Sequence, residues 1–392
     1  MAELTISATG CTLVDYLYGP VDFAREAFRK YQSIRPGDGG LVPGQLVFLS
    51  ELEQFTSESI DTIISEITGG RPPTAENLGG PSIVSVIHAA QLLGRQAKFQ
   101  FIAATGKDRA GEMIREFISR TPLKGTNLIE RPERTPFTYV LSDPGYDGGN
   151  GERTFINNIG AAGELTVSDL PPGFFSSDIL ALGGTALVPG LHDGMDEILR
   201  RTSKHTFRIV NTVFDFRNEH KNPGKPWPLG RGHDAFRYID LLIMDRDEAL
   251  KISGTASKED AIACFEQSEL GSFIITDGTR PVVLVTQEGR SRRTRIHYRL
   301  PVSKAITEML GKKSVGDTTG AGDNFAGGVI YSIARQMLSG KSRPDLEEAC
   351  AWGIVSGGFA CSYIGGTYLE SKAGEKLKKI EHFYQEYRNQ GT

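Results

Sequence analysis

Short apolar runs that alternate with amphipathic stretches are the sequence feature that most limits the fold of this chain. The apolar runs predict strands at residues 99–103, 179–182, 207–210, 241–244, 273–276 and 282–285. The amphipathic stretches predict helices at residues 111–120, 195–201, 261–268, 321–338, 346–361 and 372–387. Strands that are apolar along their whole length are buried on both faces, so this order predicts a mostly parallel sheet with helices on both sides.

Two segments interrupt this alternation. Residues 16–76 and 130–158 are richer in Gly, Pro and alternating polar residues, a composition typical of hairpins and loops. We therefore expect one domain over residues 1–392, in which these two insertions project from the main sheet as a small β-rich addition.

The charge balance limits the classes of partner. The chain has 44 basic and 48 acidic residues, which gives a formal net charge of −4. Nucleic-acid-binding domains usually carry an excess of positive charge, so this balance argues against a nucleic-acid partner. One basic run, residues 290–299, alternates with polar residues and predicts a charged strand at a sheet edge.

The sequence also carries signals of location. It contains no run of 18 apolar residues, and residues 1–7 include an acid but no basic segment, so we expect neither a membrane span nor a secretion signal. The four cysteines are scattered and form no Cys-x-x-Cys pair, which fits buried free thiols in the reducing cytoplasm.

The stretch most informative about chemistry is residues 315–325, VGDTTGAGDNF, which runs directly into the predicted helix at 321–338. Gly320 and Gly322 allow a tight turn, and the free N–H groups at the helix start then form an anion site. Asp323 is either an ordinary helix-start acid or a functional group. A carboxylate beside a bound phosphate is unfavourable unless it accepts the proton of a hydroxyl that attacks the phosphorus.

Other nucleotide-binding and catalytic signatures are absent. Phe325 stands where a GxGxxG motif needs its third glycine, and the Gly-Lys pairs at 311 and 340 lack the preceding glycine of a P-loop. Neither GxSxG nor HExxH occurs, and the seven histidines lack metal-ligand spacing, which argues against hydrolases and zinc enzymes.

Residues 317–325 resemble DTxGAGDxF, the C-terminal signature of the PfkB, or ribokinase-like, carbohydrate kinases. Shorter matches to the same family follow in the family's order, at residues 10–15, 79–80, 106–111, 151–155 and 276–278. The resemblance implies a ribokinase-like three-layer α/β/α sandwich with a mostly parallel central sheet, in which the two insertions form a small β-rich lid. It also implies a kinase that transfers phosphate from ATP to a hydroxyl of a sugar or sugar derivative.

The resemblance assigns roles to individual residues. Asp323 is implied as the general base, and the N–H groups of Gly320, Ala321 and Gly322 as the hole for the developing negative charge. The residues implied to hold the substrate are Asp15, Gly79, Gly80 and Ser82. On the first strand, in residues 10–15, the implied substrate ligand is the terminal Asp15.

A second group of implied residues lies on the nucleotide side. Thr276 and Gly278 are expected beside the ATP phosphates, and Asp245 and Glu248 beside Mg²⁺, which prefers oxygen ligands and keeps its waters. The implied ligands of a monovalent cation, possible K⁺, are Asp317 and Thr319.

The chain departs from the family pattern at the acceptor and metal positions. The segment after Gly80 contains no asparagine, so one sugar contact expected from the family is either missing or replaced by Ser82 or Ser85, and Asp245 stands where the family has asparagine. Two alternatives remain open: a nucleoside kinase of the adenosine kinase type on the same fold, and a non-catalytic relative that binds nucleotide or sugar. A homodimer through the lid strands is also expected from the exposed sheet edges and the family.

Overall fold

A computed structural model describes residues 3–35, 37–149, 151–287, 295–312, 316 and 318–390. The strands are β1 Leu4–Gly10, β2 Leu13–Tyr18, β3 Leu46–Phe48, β4 Ala75–Gly79, β5 Ala97–Thr105, β6 Thr126–Glu130, β7 Phe137–Asp143, β8 Glu152–Asn158, β9 Ile179–Gly183, β10 Phe207–Asn211, β11 Leu241–Asp245, β12 Ser272–Thr276, β13 Val282–Gln287 and β14 Arg295–Leu300. The helices are α1 Glu26–Arg29, α2 Leu49–Thr56, α3 Ile60–Thr68, α4 Pro81–Leu93, α5 Arg109–Ser119, α6 Tyr146–Gly149, α7 Pro189–Asp193, α8 Met195–Arg201, α9 Phe216–Lys221, α10 Arg246–Ser253, α11 Lys258–Gln267, α12 Lys304–Gly311, α13 Ala321–Leu338, α14 Leu346–Ala360 and α15 Glu375–Asn389.

The main sheet has the strand order β14-β13-β12-β11-β10-β9-β1-β5-β6. All pairs from β12 to β6 are parallel, and only β13 and β14 join antiparallel. The predicted, mostly parallel sheet is therefore confirmed, and every strand and helix predicted from the apolar pattern is present with its ends shifted by a few residues. The carboxyl ends of the parallel strands meet at one edge, where such sheets usually bind ligands.

Helices cover both faces of this sheet. One apolar core joins it to α4, α5 and α12–α15, and a second core joins it to α7, α8, α10 and α11. Helix α13 follows directly after the predicted anion loop. Its side chains Phe325, Val329 and Ile333, four residues apart, are buried between the sheet and the neighbouring helices. This burial fixes the helix axis and so fixes where its amino end points.

A second, five-stranded sheet has the order β3-β8-β7-β2-β4 and forms the small β-rich lid beside the main sheet. It has its own apolar core with α1–α3. The sheet takes in residues 13–15 and 77–79, beyond the ends of the segment 16–76.

The placement of Asp15 differs from the sequence-based expectation. We expected it at the end of the first strand, but β1 ends at Gly10 and Asp15 lies in β2 of the second sheet. The chain leaves the main sheet after Gly10, where the Cys11 N–H still donates to Gly183 O at 2.9 Å. Asp15 is consequently carried by the lid, above the strand ends.

Three smaller expectations can be compared with the structure. The described part of the basic run, β14, is an edge strand as predicted, whereas Arg290, Arg292 and Arg293 lie outside the described residues. None of the four cysteines forms a disulfide; Cys11 and Cys350 are buried as expected, whereas Cys264 is exposed and Cys361 is partly exposed. In the part of the chain that the structure describes, no helix has the length and hydrophobicity needed to cross a membrane.

Candidate active site

The amino end of α13 forms a small site lined by backbone amides. Gly320 precedes the helix in the left-handed conformation, with φ 72°, and a side chain there would place its Cβ 2.5 Å from Gly366 Cα. The Ala321 N–H donates to Thr318 O at 3.2 Å. The amides of Gly322 and Asp323 belong to the first helical turn and have no intrahelical acceptor, so they can bind an anion.

Asp323 lies in this first turn and is half-buried. Surrounding protein atoms desolvate the carboxylate and raise its pKa to about 7. A carboxyl group whose pKa lies near neutral pH can both accept and release a proton, which is the property required of a general base.

Asp15, predicted for the substrate side, and Asp323 both act on one buried thiol. Asp15 is only 8% exposed, and a Cβ added to Gly79 would collide with its carboxylate, so the glycine makes room for the acid. The Cys11 thiol connects the two acids: burial raises the pKa of Cys11, and the negative charges of Asp323 and Asp15 raise it further. Both carboxylates are therefore within electrostatic reach of one buried thiol.

Two hydroxyl groups near Asp15 are buried without partners. The Ser82 Oγ and the Thr12 Oγ1 make no hydrogen bond to any described residue, although both side chains are almost completely buried. Gly80 packs closely against this segment, since a Cβ added to it would be 2.9 Å from Thr12 Cα. Ser82 was predicted, but Thr12 was missed because a threonine next to a strand carries no recognisable pattern.

A row of polar side chains crosses the lid sheet at Asp15. Asp15 is paired in register with Asn77 on one side and Thr138 on the other, and Thr138 is paired with Asn157. The Asn157 amide donates to Thr138 Oγ1 at 2.9 Å, whereas its Oδ1 is buried and makes no hydrogen bond to the described residues. The Asn77 amide donates to Ile364 O at 3.1 Å, so this face of the sheet is turned towards the main body.

Aromatic residues occupy the opposite face of the lid sheet. Tyr16 and Tyr139, one position along from Asp15 and Thr138, have ring centroids 5.5 Å apart and pack against the lid core. Successive residues of a strand point to opposite faces, so these rings lie on the other side of the sheet from Asp15. They cannot stack on a molecule bound at the polar row.

The nucleotide-side residues lie at the ends of β11 and β12. Asp245 and Thr276 are register partners, and Gly278, with φ 58°, has open space around its Cα. Asp245 accepts from the Glu248 N–H at 2.8 Å, and Glu248 accepts from the Asp245 N–H at 2.9 Å, which makes a capping box at the start of α10. The two acids therefore also have a structural role.

Glu248 faces the same cleft as Asp323. It is 8% exposed and accepts a hydrogen bond from Thr212 Oγ1 at 2.6 Å. Burial, followed by the negative charges of Asp245 and Asp323, raises its pKa to about 8, and burial also raises the pKa of Asp245. Acids with raised pKa values are stabilised by a cation.

The donors at Asp245 and Glu248 fit Mg²⁺. Among the described residues, no group of three or more acids, histidines or cysteines forms a metal cage. Mg²⁺ usually binds one or two carboxylates together with phosphates and water, so two hard oxygen donors beside an anion site are the expected arrangement.

Arg153 of β8 reaches from the lid to the anion loop. Its guanidinium donates to the hydroxyls of Thr319 and, at 2.9 Å, Thr318. Thr319, an expected cation ligand, is thus in contact with a positive charge, and Asp317, the other expected ligand, lies outside the described residues. Arg153 was missed as a site residue, although residues 151–155 were recognised as a family match.

Comparisons with known proteins give the family and the fold of the chain. The family model "pfkB family carbohydrate kinase" matches residues 74–373. An adenosine kinase from Sinorhizobium meliloti is 18% identical, with a TM-score of 0.66, over 97% of this chain and 99% of that one. A ribokinase from Thermotoga maritima is 18% identical, with a TM-score of 0.60 and the same coverage.

A third similar structure is an Escherichia coli protein described as a ribokinase II candidate, in complex with ATP and Mg²⁺. It is 16% identical, with a TM-score of 0.63, over 97% of this chain and 99% of that one. At such low identity these structures show the shared ribokinase-like fold. Because the family model spans most of the chain, the chain belongs to the pfkB carbohydrate kinase family, whose members are kinases.

Proposed function

We propose that the protein transfers the γ-phosphoryl group of Mg²⁺-bound ATP to a hydroxyl of a sugar or sugar derivative. The observation that carries the proposal is the position of Asp323, in the first turn of α13 beside its free amides, with its carboxylate and that of Asp15 both acting on the buried Cys11 thiol. An acceptor hydroxyl held by Asp15 then lies between a proton acceptor and an anion site.

The proposed chemistry needs one proton acceptor. The acceptor oxygen forms a bond to the γ-phosphorus, the bond from that phosphorus to the bridging oxygen breaks, and ADP leaves. The hydroxyl proton passes to Asp323. Charge that develops on the transferred group is stabilised by the amides at the start of α13, for which we propose Gly320, Ala321 and Gly322 as predicted, together with Asp323 N–H. Of these, the Ala321 N–H donates to Thr318 O in the free protein and would have to turn to the bound phosphate or share its bond with it.

The other predicted residues complete the nucleotide side of the proposal. Thr276 and Gly278 would lie along the ATP phosphates, and Asp245 and Glu248 would hold Mg²⁺ through its water ligands. Bound Mg²⁺ supplies positive charge to the phosphates. Lid closure would exclude water from the cleft, so that the acceptor rather than solvent receives the phosphoryl group.

The polar row of the lid favours a sugar over a nucleoside. Asp15, Asn77, Thr138 and Asn157 offer carboxylate, amide and hydroxyl groups on the face turned towards the body, and a carboxylate can accept hydrogen bonds from two hydroxyls. The tyrosines of the lid lie on the other face, where a base could not stack on them. Gly79 and Gly80 leave space for the acceptor, and Ser82 offers it a buried hydroxyl.

The test is ADP release with Mg·ATP across hexoses, pentoses, ketoacid sugars and nucleosides, for the wild type and for Asp323→Asn. We expect a sugar to stimulate release, with a loss of kcat of at least ~10²-fold in the variant, as is usual when a general base is removed. Since Asp323 must be ionised, wild-type kcat/KM should rise with pH through about 7, the pKa of this carboxyl in the free protein.

The other outcomes separate the alternatives. If only nucleosides stimulate ADP release, the substrate is a nucleoside and not a sugar. ATP binding without transfer to any acceptor would support the non-catalytic alternative. Turnover that is unchanged in Asp323→Asn would refute the proposed mechanism.

A further inference from the structure

Asn324, the residue after Asp323, is completely buried and uses both ends of its amide. Its Nδ2 donates to Gly320 O and to Gly366 O, both at 2.8 Å. Its Oδ1 lies 2.7 Å from His88 Nδ1 and 3.2 Å from Lys376 Nζ. Only the N–H side can face two carbonyl oxygens, so these contacts fix the orientation of the amide.

The two carbonyls belong to different loops. Gly320 ends the loop before α13, and Gly366 lies between α14 and α15. The loops are in close contact, because a Cβ on Gly320 would be 2.5 Å from Gly366 Cα. The second loop also accepts the lid contact from Asn77, at Ile364 O. Asn324 therefore joins the anion loop to the segment that touches the acceptor side.

Lys376 of α15 donates a hydrogen bond to the side-chain oxygen of Asn324. It is 1% exposed, and its Nζ donates to Gln91 Oε1 at 2.9 Å as well as to Asn324 Oδ1. The Gln91 Nε2 in turn donates to Tyr368 O at 2.7 Å, which fixes the Gln91 oxygen towards the lysine. Burial lowers the pKa of Lys376 to about 7. Both a neutral amine and an ammonium have enough N–H groups for the two acceptors.

His88 of α4 supports the same oxygen. Burial, and then the charge of Lys376, lower the pKa of His88 well below its usual value, so the ring is neutral. Because Asn324 Oδ1 is an acceptor, His88 carries its proton on Nδ1. The Nε2 makes no hydrogen bond to a described residue. Burying a lysine and a histidine is unfavourable for folding, so an apolar residue at either position would be expected if packing alone mattered.

We infer that Lys376 and His88 are positioning residues that act through Asn324. Asn324 binds the anion loop to the second loop, residues 361–366 after α14, and so fixes the positions of Asp323 and of the amides at the start of α13. The inference rests on the proposed function, since it assigns these residues to the geometry of phosphoryl transfer. The hydroxyl of Tyr363, 3.2 Å from Asn324 Oδ1, adds a third donor. None of these side chains was singled out by the sequence analysis.

The test compares Lys376→Met with Lys379→Met, a matched change on the same helix at an exposed lysine paired with Glu375. We expect Lys376→Met to lower kcat by roughly 10–100-fold, as is typical when a supporting contact is lost, with KM values for ATP and acceptor changed less than about threefold. Its melting temperature should stay within a few degrees of that of the wild type, because the cost of burying an amine is removed while Gln91 Oε1 loses its donor. Lys379→Met should keep wild-type kcat.

A second measurement does not depend on activity. Amide hydrogen exchange in residues 318–324 should be faster in Lys376→Met than in the wild type and unchanged in Lys379→Met. If Lys376→Met does not fold, Lys376→Gln, which keeps an N–H donor, is used instead and should show a smaller loss of kcat.

The outcomes distinguish this inference from the proposed function. Wild-type kcat and wild-type exchange in Lys376→Met, together with inactive Asp323→Asn, would overturn the inference and leave the kinase function intact. A loss of kcat that follows a loss of melting temperature would reduce Lys376 to a structural role. Absence of transfer by the wild type with every acceptor would refute both.

Discussion

The cleft has two ends, one behind Asp323 and one under the lid, and they differ in whether their buried polar groups have hydrogen-bond partners. Behind Asp323, the Asn324 amide has partners for both of its N–H groups and three donors on its oxygen. Under the lid, Thr12 Oγ1, Ser82 Oγ and Asn157 Oδ1 are buried and make no hydrogen bonds within the described part of the chain.

This difference has an energetic meaning. A buried polar group without a partner costs about 1–3 kcal/mol of folding free energy, and a ligand that supplies the partner relieves this cost. The end behind Asp323, here called the complete end, has its Asn324 contacts in place before substrate arrives, although His88 Nε2 there makes no hydrogen bond to a described residue. At the incomplete end, under the lid, we expect the substrate to supply the partners. Changes at the first end should alter the rate of the chemical step, and changes at the second should alter affinity.

The largest effect is expected for Gly320→Ala at the complete end. The new methyl group would lie 2.5 Å from Gly366 Cα, at a φ of 72° that disfavours alanine, so the loop must move. Displaced amides should lower kcat by roughly 10²–10³-fold, the usual loss when a hydrogen-bond donor to the developing charge is removed. Steady-state kinetics with Mg·ATP and the acceptor measures the loss.

Gly173→Ala is the control for this change, because no atom lies within 4 Å of the added Cβ. It should keep wild-type kcat and melting temperature. An unchanged kcat in Gly320→Ala would mean that the loop position does not matter for transfer, and the distinction between the two ends would fail.

A smaller effect is expected for Ser82→Ala at the incomplete end. The Ser82 hydroxyl has no bond to lose in the free protein, so the melting temperature should stay the same or rise. The acceptor loses one hydrogen bond, worth about 0.5–1.5 kcal/mol, so its KM should rise by roughly 2–12-fold with little change in kcat. Thermal unfolding and acceptor kinetics are measured on the same preparation.

Ser85→Ala supplies the matched comparison. Its hydroxyl already donates to Ser82 O at 2.9 Å, so its removal should affect stability more than acceptor KM. If Ser82→Ala lowers the melting temperature and leaves KM unchanged, the hydroxyl is part of the protein's own packing and not of the acceptor site.

The same contrast explains how far the sequence could predict the molecule. Strands β5 and β9–β13 and helices α5, α8, α11 and α13–α15 were predicted because burial leaves a local apolar pattern, whereas β1 and β6 of the same sheet were not. The anion loop and Asp323 were predicted because all of their residues lie within 317–325. Asp15 was assigned to the first strand but lies in β2. The change from one sheet to the other between Gly10 and Leu13 depends on tertiary structure, which the local sequence does not reveal.

The supporting contacts could not be predicted from local patterns. Asn324 meets His88, 236 residues away, and Lys376, 52 residues away. Each of these residues alone is an ordinary polar residue in an amphipathic or apolar helix. Their function as a group exists only once α4, α13 and α15 pack together, which no spacing in the sequence reveals.

The smallest effect is expected in the stability of Asp323→Asn. In the folded protein the pKa of Asp323 is about 7, against an ordinary value of 3.8, so between these pH values the folded state binds more protons than the unfolded state. The favourable contribution is fully present below about pH 4 and is lost as the pH rises through about 7. Asparagine has no charge to bury, so the variant should melt a few degrees above the wild type at pH 8, with little difference at pH 4.

The half-buried position of the carboxylate keeps this difference in melting temperature small, because solvent screens the charge. Thermal unfolding of both proteins between pH 4 and pH 8 measures it. A difference that is constant with pH would mean that folding does not desolvate this carboxylate. Asp323, the proposed general base, would then be solvated in the folded protein, and the rise of kcat/KM through about pH 7 should also disappear.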